Sequence, residues 1–280
     1  MSTAVTAPST PQSRPRLRIQ GRQSFLTLVR SEWIKVRSVV STWVTAALTV
    51  SITVLLGAGL AIGYSQTPEM AEQAKHMIAA GSAFGHLVVA VLGALVITGE
   101  YGSGQIRSSL AAAPQRTRLM AAKVLVVSAL AFLLGAFSVL LSWAVSAPFM
   151  GEHAGSLADA HYLGYVWGTG LSFVVITVMS LALGYLLRST AGAITVSMVL
   201  LFVLQIPLGL AAMKWQSVLW VVNLLPGGAV QALADPHSLV HTWGAEGSYT
   251  LSQPLTVAVA AAWALVPLLA AWVTFIKRDA

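Results

Sequence analysis

Six stretches of twenty-two residues or more contain no Asp, Glu, Lys or Arg: Trp43–Tyr64, Met77–Thr98, Val124–Phe149, Leu163–Leu187, Ala191–Met213 and Leu255–Ile276. An α-helix of about 20 apolar residues crosses the hydrocarbon core of a bilayer. Each stretch is therefore read as one transmembrane helix. Only 9% of the residues are charged and 56% are hydrophobic, whereas soluble domains carry about 25% charged residues. The expected fold is an all-α integral membrane protein of six spans. The chain has no cysteine, which excludes disulfides, thiolate chemistry and Cys-ligated metals.

Basic residues set the orientation, because Lys and Arg accumulate on the cytoplasmic side. Fourteen of the sixteen lie before the first span, between the second and third, between the fourth and fifth, or after the sixth. The alternate loops hold only Lys75 and Lys214, against six acids, among them Glu69, Asp159 and Asp235. Both termini are expected in the cytoplasm. Residues 1–23 are Ser/Thr/Pro-rich and then Arg-rich. They lack the apolar core of a secretory signal and read as a disordered basic cytoplasmic tail.

Two further segments are apolar without being spans. Residues 24–40, "SFLTLVRSEWIKVRSVV", put Phe25, Val29, Trp33, Val36 and Val40 at helical spacing, with Arg30, Glu32, Lys35 and Arg37 around them. Such a basic amphipathic helix suits the membrane interface, with Trp33 in the apolar boundary and Lys35 and Arg37 toward the headgroups. The outer segment 214–254 begins apolar and is broken at Pro226-Gly227-Gly228. A pair of short helices dipping into the outer leaflet is expected, its break covered by protein because exposed backbone in lipid is costly.

Familiar chemistry is missing. There is no GxxxxGK[ST] phosphate loop, no HExxH and no Gly-x-Ser-x-Gly elbow. Nothing suggests a cofactor, a metal or nucleic acid bound by this chain. Ion-coupled transporters keep ionisable groups within their spans, and here only His86 qualifies. With Gln205 it is a pathway candidate, although a histidine hydrogen-bonded to a neighbouring helix is the plainer reading. Gly59-x-x-x-Gly63, Gly81-x-x-x-Gly85 and Gly164-x-x-x-Gly168 allow close helix approach.

Between the second and third spans lies "GEYGSGQIRSSLAAAPQRTRLMAAK", residues 99–123. Gly102-Ser103-Gly104 is expected to break the helix, with Ser103 capping a new one. In that short helix Ile106, Leu110 and Ala113 share a face, Pro114 stops it, and Thr117 caps the next. Glu100 stands ahead of it, where a negative charge suits a helix N-terminus. A plain basic loop on anionic lipid would account for Arg107, Arg116, Arg118 and Lys123. It would not account for the glycine joint, Glu100 or the proline stop.

The arrangement resembles the permease subunits of type-2 ATP-binding-cassette (ABC) exporters. The resemblance rests on the helix around "SEWIKVRS" before the first span, and on Glu100, Gly104, Ile106-Arg107, Pro114, Arg116 and Lys123 between the second and third. The long outer segment with "NLLPGGAV" adds to it, and the terminal "KRDA" resembles endings of actinobacterial members. It implies a multi-pass subunit of the bacterial plasma membrane that pairs with a second permease, identical or not. It also implies a separate ATPase subunit that holds ATP and Mg. The short helix would be a coupling helix seated in that ATPase. Glu100, Gly104, Ile106, Arg107, Leu110, Pro114 and Arg116 would form the interface, with Ile106 and Leu110 as apolar anchors. The cargo expected from charge-free spans is a hydrophobic or amphipathic compound, exported. The alternatives are a stand-alone secondary transporter or channel, and a membrane enzyme or anchor.

Overall fold

A computed structural model describes residues 24–113, 115–235 and 252–277. The expected tail 1–23, Pro114, the second half of the outer segment and the last three residues lie outside that range. The described chain is all-helical, and six of its helices are long and apolar enough to cross a membrane.

In chain order the helices are α1 (Phe25–Ser38), α2 (Val40–Ser65), α3 (Ser82–Gly102), α4 (Gln105–Ala112) and α5 (Arg116–Met150). There follow α6 (Ala160–Leu187), α7 (Thr190–Met198), α8 (Gln205–Ala212), α9 (Val218–Leu224), α10 (Pro226–Ala234) and α11 (Gln253–Lys277). A 3₁₀ turn, Ala71–Ala79, leads into α3, and a π-helical turn, Val199–Val203, joins α7 to α8.

Helix α6 is the hub. It packs on α3, α5, α10 and α11, and 72% of its most apolar stretch is buried, against 17% for the stretch formed by α7 and α8. Lipid tails give little hydrophobic drive to helix association, so small and hydroxyl-bearing residues do the joining. Thr169, Ser172, Thr177 and Ser180 of α6 are fully buried. Ser180 donates to the Ala90 carbonyl of α3 at 2.6 Å, and Ser197 of α7 donates to Ser180 at 3.1 Å. Gly135 of α5 lets the backbones meet: a methyl group there would lie 2.7 Å from the Thr169 carbonyl oxygen. Of the three glycine pairs, Gly81 and Gly85 pack on α2, and Gly168 packs on the end of α10. Gly59 and Gly63 have no neighbour within 4 Å among the described residues.

Several element boundaries depart from the sequence reading. Val39 is extended and separates α1 from α2, so α1 is not a continuation of the first span. Its packed side is Leu28, Glu32 and Val36, rotated from the expected stripe, and Trp33 is 40% exposed. Helix α5 begins at Arg116, just ahead of the expected cap at Thr117, and continues through Lys123 into the third apolar stretch. The fifth apolar stretch is not one uniform helix: the Leu204 amide reaches the Val199 carbonyl at 3.0 Å, one residue beyond the α-helical partner. The expected pair of short outer helices is present as α9 and α10. The carbonyl of Leu224 at their junction accepts from Trp263 Nε1 at 2.8 Å, so one backbone acceptor at the break is satisfied by α11.

Candidate functional site

At one end of the bundle α3 stops and the chain doubles into α4. Gly104 makes the joint, with φ +72°, a left-handed conformation that favours glycine. It is Gly104, not Ser103, that precedes α4. The Ser103 hydroxyl turns back to donate to the Gly99 carbonyl at 2.8 Å. Thr117 is likewise no cap. It sits in the first turn of α5 and accepts from Trp272 Nε1 at 3.2 Å.

Helix α4 has two unlike faces. Ile106, Ser109 and Ala113 are buried, while Gln105, Arg107, Ser108, Ala111 and Ala112 are exposed and Leu110 is half-buried. Ile106 joins a core with Ile97, Met120, Tyr185 and Phe275. Ala113 packs with Leu28, Leu119 and Ala122. Ile106 therefore cannot be the partner-facing anchor that the sequence suggested, since its side chain is spent inside the bundle.

Glu100 also points inward. It lies in the last turn of α3, where the helix dipole disfavours a negative charge. Two ammonium groups offset that. Lys35 Nζ donates to Glu32 Oε1 at 2.6 Å, to Glu100 Oε1 at 3.0 Å and to Ser109 Oγ at 2.9 Å, spending all three protons. Lys123 Nζ donates to Glu100 Oε1 at 2.8 Å and to Glu32 Oε2. Two carboxylates and two ammoniums thus alternate in a neutral cluster. Glu32 and Lys123 are each 1% exposed. Such groups are buried only when paired, because stripping water from a lone charge costs several kcal/mol (of order). Burial opposes the Lys35 charge more than any other single influence. The Glu32 hydrogen bond and the charges of Glu100 and Glu32 together outweigh it and hold Lys35 above its ordinary 10.5.

The cluster joins four elements: α1 through Glu32 and Lys35, α3 through Glu100, α4 through Ser109 and α5 through Lys123. Arg116 ties in a fifth. It donates to the Phe275 carbonyl at 2.8 Å and lies 5.9 Å from the Phe275 ring centre, filling acceptors that the end of α11 leaves open. Arg188, with φ +50°, sits 5.2 Å over the Tyr101 ring. Arg37 is exposed, and its carbonyl accepts from Trp43 Nε1 at 2.9 Å.

The two pathway candidates lie together at the opposite end. A cavity of about 490 Å³ is bounded by Tyr64 of α2, Phe84 and His86 of α3, Leu201 and Phe202 of the π-helical turn, Gln205 of α8, and Gly227, Gln231 and Asp235 around α10. His86 Nε2 is 2.8 Å from Ser172 Oγ. That hydroxyl already donates to the Thr169 carbonyl, so it accepts and His86 donates through Nε2. The Gln205 Nε2 amine is enclosed and has no partner among the described residues.

Sequence reasoning missed Glu32, assigned to a solvated face, and Asp235, assigned to a loop. One signal for Glu32 was present. At the end rich in Lys and Arg, Glu32 and Glu100 are the only acids before Asp279, and both are buried. A family model described as "Protein of unknown function (DUF2705)" matches residues 59–280. The match spans Glu100, Lys123, α4 and the cavity-lining residues, but not Glu32 or Lys35. No curated protein matches the chain.

Proposed function

The chain belongs to the DUF2705 family of proteins of unknown function, and from the geometry of α4 we propose that it is the permease subunit of an ABC transporter of the type-2 exporter class. In this reading the end carrying α1 and α4 faces the cytoplasm of a bacterium, and α4 is the coupling helix. A separate ATPase subunit holds ATP and Mg. A second permease, identical or homologous, completes the pathway. The exported cargo is a hydrophobic or amphipathic compound.

One observation carries the proposal. Helix α4 is exposed on one side and attached on the other, through the Ser109 hydroxyl, to a charge cluster that joins α1 to the ends of α3 and α5. A force on its exposed side cannot be absorbed by α4 alone, because Ser109, Ile106 and Ala113 are held by three different packing partners. A topogenic basic loop has no need of such a mount. The partner-facing set is accordingly Gln105, Arg107, Ser108 and Ala111 with the outer edge of Leu110, rather than Ile106 and Glu100.

The test is co-purification of the tagged chain with the P-loop ATPase encoded beside its gene. Wild type is compared with Arg107→Glu combined with Ala111→Arg, both on the exposed side. The expected result is association lost in the double variant at an unchanged melting temperature. Association indifferent to the two changes, or none with wild type, would overturn the proposal.

A further inference from the structure

The side of α1 turned away from the bundle combines charge with apolar surface. Leu28, Glu32 and Val36 pack against the protein. Successive residues of a helix are about 100° apart, which places Leu26, Arg30, Ile34 and Arg37 opposite that packed side and Trp33 at its edge. All five are exposed. Leu26 is 76% and Ile34 51% exposed, so a bilayer surface suits this face better than water does.

Its charge is unopposed. Glu32 and Glu100, the two described acids of this end, are buried and matched within the cluster by Lys35 and Lys123. Lys35, expected from its position to reach the headgroups, is thereby spent. Arg30 and Arg37 remain, and neither guanidinium has a partner among the described residues.

The face continues past the end of α1. Val39 is extended and turns the chain into α2. Across that elbow Trp43 Nε1 donates to the Arg37 carbonyl at 2.9 Å, which fixes the Trp43 indole beside the end of α1. Between Trp33 and Trp43 lies a shallow notch. Val36, Ala46 and Leu130 of α5 also line it, and Arg37 is its one charged residue. Val36 and Ala46 are buried, while Trp33 and Trp43 are 40% and 53% exposed. The notch therefore has an apolar floor and an open side. Helix α2 is long and apolar enough to cross a membrane, and Trp gathers where such helices meet the headgroups.

We infer that the elbow between α1 and α2 is a seat for one anionic phospholipid. Its phosphate lies against Arg37, whose planar guanidinium matches phosphate oxygens in pairs. Arg30, two turns back on the same face, adds a second positive charge. One acyl chain runs between the two indoles onto Val36, Ala46 and Leu130. The floor calls for hydrocarbon and the rim for an anion, and a phospholipid carries both in one molecule. Dissolved phosphate satisfies only the rim. A zwitterionic lipid brings its own ammonium toward Arg30, so a headgroup of net negative charge is preferred. The inference uses no part of the ABC reading and is measured on this chain alone.

The test exploits the absence of cysteine. Ser41→Cys, exposed beside the notch, carries a bimane in the full-length chain reconstituted into phosphatidylcholine vesicles. Phosphatidylglycerol and phosphatidylcholine bearing the same nitroxide on the acyl chain are then added in trace amounts. Quenching by the phosphatidylglycerol is expected to saturate, and to need at least about fivefold less lipid than quenching by the phosphatidylcholine. Arg37→Gln, at an exposed side chain, should remove that preference, and Arg30→Gln should reduce it. Trp33→Ala should weaken quenching by both lipids and keep the preference. A bimane at Ser217→Cys, beyond the fifth apolar stretch and also exposed, should show no preference. Equal quenching by the two lipids at Ser41→Cys overturns the inference, and so does a preference that survives Arg37→Gln. An equal preference at Ser217→Cys would show general attraction to a basic protein instead of a seat. Loss of quenching on adding millimolar glycerol phosphate would make the site one for a dissolved anion, which also refutes a lipid seat.

Discussion

Replacing Lys123 by Met should do more harm than replacing Lys123 and Glu32 together. Lys123 Nζ bridges Glu32 and Glu100. At 2.8 Å from Glu100 and an effective dielectric near 20, one such pair attracts by about 6 kcal/mol before desolvation is counted. Removing the ammonium alone leaves two buried carboxylates facing Lys35 only, an excess of one negative charge. Breaking a buried pair from one side costs about 3–5 kcal/mol. Glu32→Leu with Lys123→Met removes one charge of each sign and leaves Lys35 and Glu100 in contact at 3.0 Å. Swapping a whole buried pair for apolar groups is about neutral. The part released is α1, whose other buried anchors are Leu28 and Val36. Amide hydrogen exchange over Phe25–Ser38 therefore reads the effect directly. Lys123→Met is expected to lose at least about a hundredfold of protection there, and the double variant to recover most of it. Equal losses in single and double variants would refute the charge-balance argument. A loss under about fivefold in the single variant would show that α1 is held by its apolar contacts instead.

Two further outcomes follow from the packing and the charges. Gly135→Val should lower the melting temperature by overpacking, at a cost of about 1–3 kcal/mol, since the Thr169 carbonyl and the Gly170 Cα lie within 2.9 Å of the added carbon. Gly59→Ala, with nothing within 4 Å, should raise it slightly through helix propensity; scanning fluorimetry of both variants checks the pair. Docking of α1 should also weaken in alkali. The Lys35 ammonium is held above 10.5 in the folded chain, so the docked state keeps its proton longer. Its contribution is complete below that value and is lost as pH rises through the raised one. Because the chain has no cysteine, Ser31→Cys and Arg118→Cys can carry spin labels whose separation should hold steady to about pH 10 and broaden above it.

The six long helices were legible because the hydrocarbon requirement is a matter of length and composition, and uncharged runs such as Leu163–Leu187 meet it without reference to anything distant. The short helix was legible from its joint at Gly102-Ser103-Gly104. Its facing was not. Ile106 and Leu110 share a helical stripe, and a stripe does not say whether it covers this chain or another. Only the positions of Met120, Tyr185 and Phe275 decide that, and they come from three other helices. Glu32 was misplaced for a similar reason. Its partner Lys123 is 91 residues away, and among the four charged residues of α1 nothing local marks it as buried. The start of α5 was legible to within a residue or two, but Thr117 was read as its cap, and the partner that takes that hydroxyl, Trp272, is 155 residues away. The π-helical turn has no signature in "VLLFV". Leu201 within it and Gln205 just after it lie close against Gly227 of α10, a contact no local pattern announces.

The central place of α6 has a consequence for how the protein is made. Chains emerge N-terminus first, so α3 and α5 are synthesised before the helix they close around. Until residue 187 has left the ribosome, Gly93 and Gly135 face no α6 backbone, and the Ala90 carbonyl waits for the Ser180 hydroxyl. The first half of the molecule is thus a set of helices tied at one end by the charge cluster but lacking their central partner. The arrival of α6 is the event that turns them into one body. A chain truncated before that point should be a target for quality-control proteolysis, while one truncated just after α6 already contains its keystone.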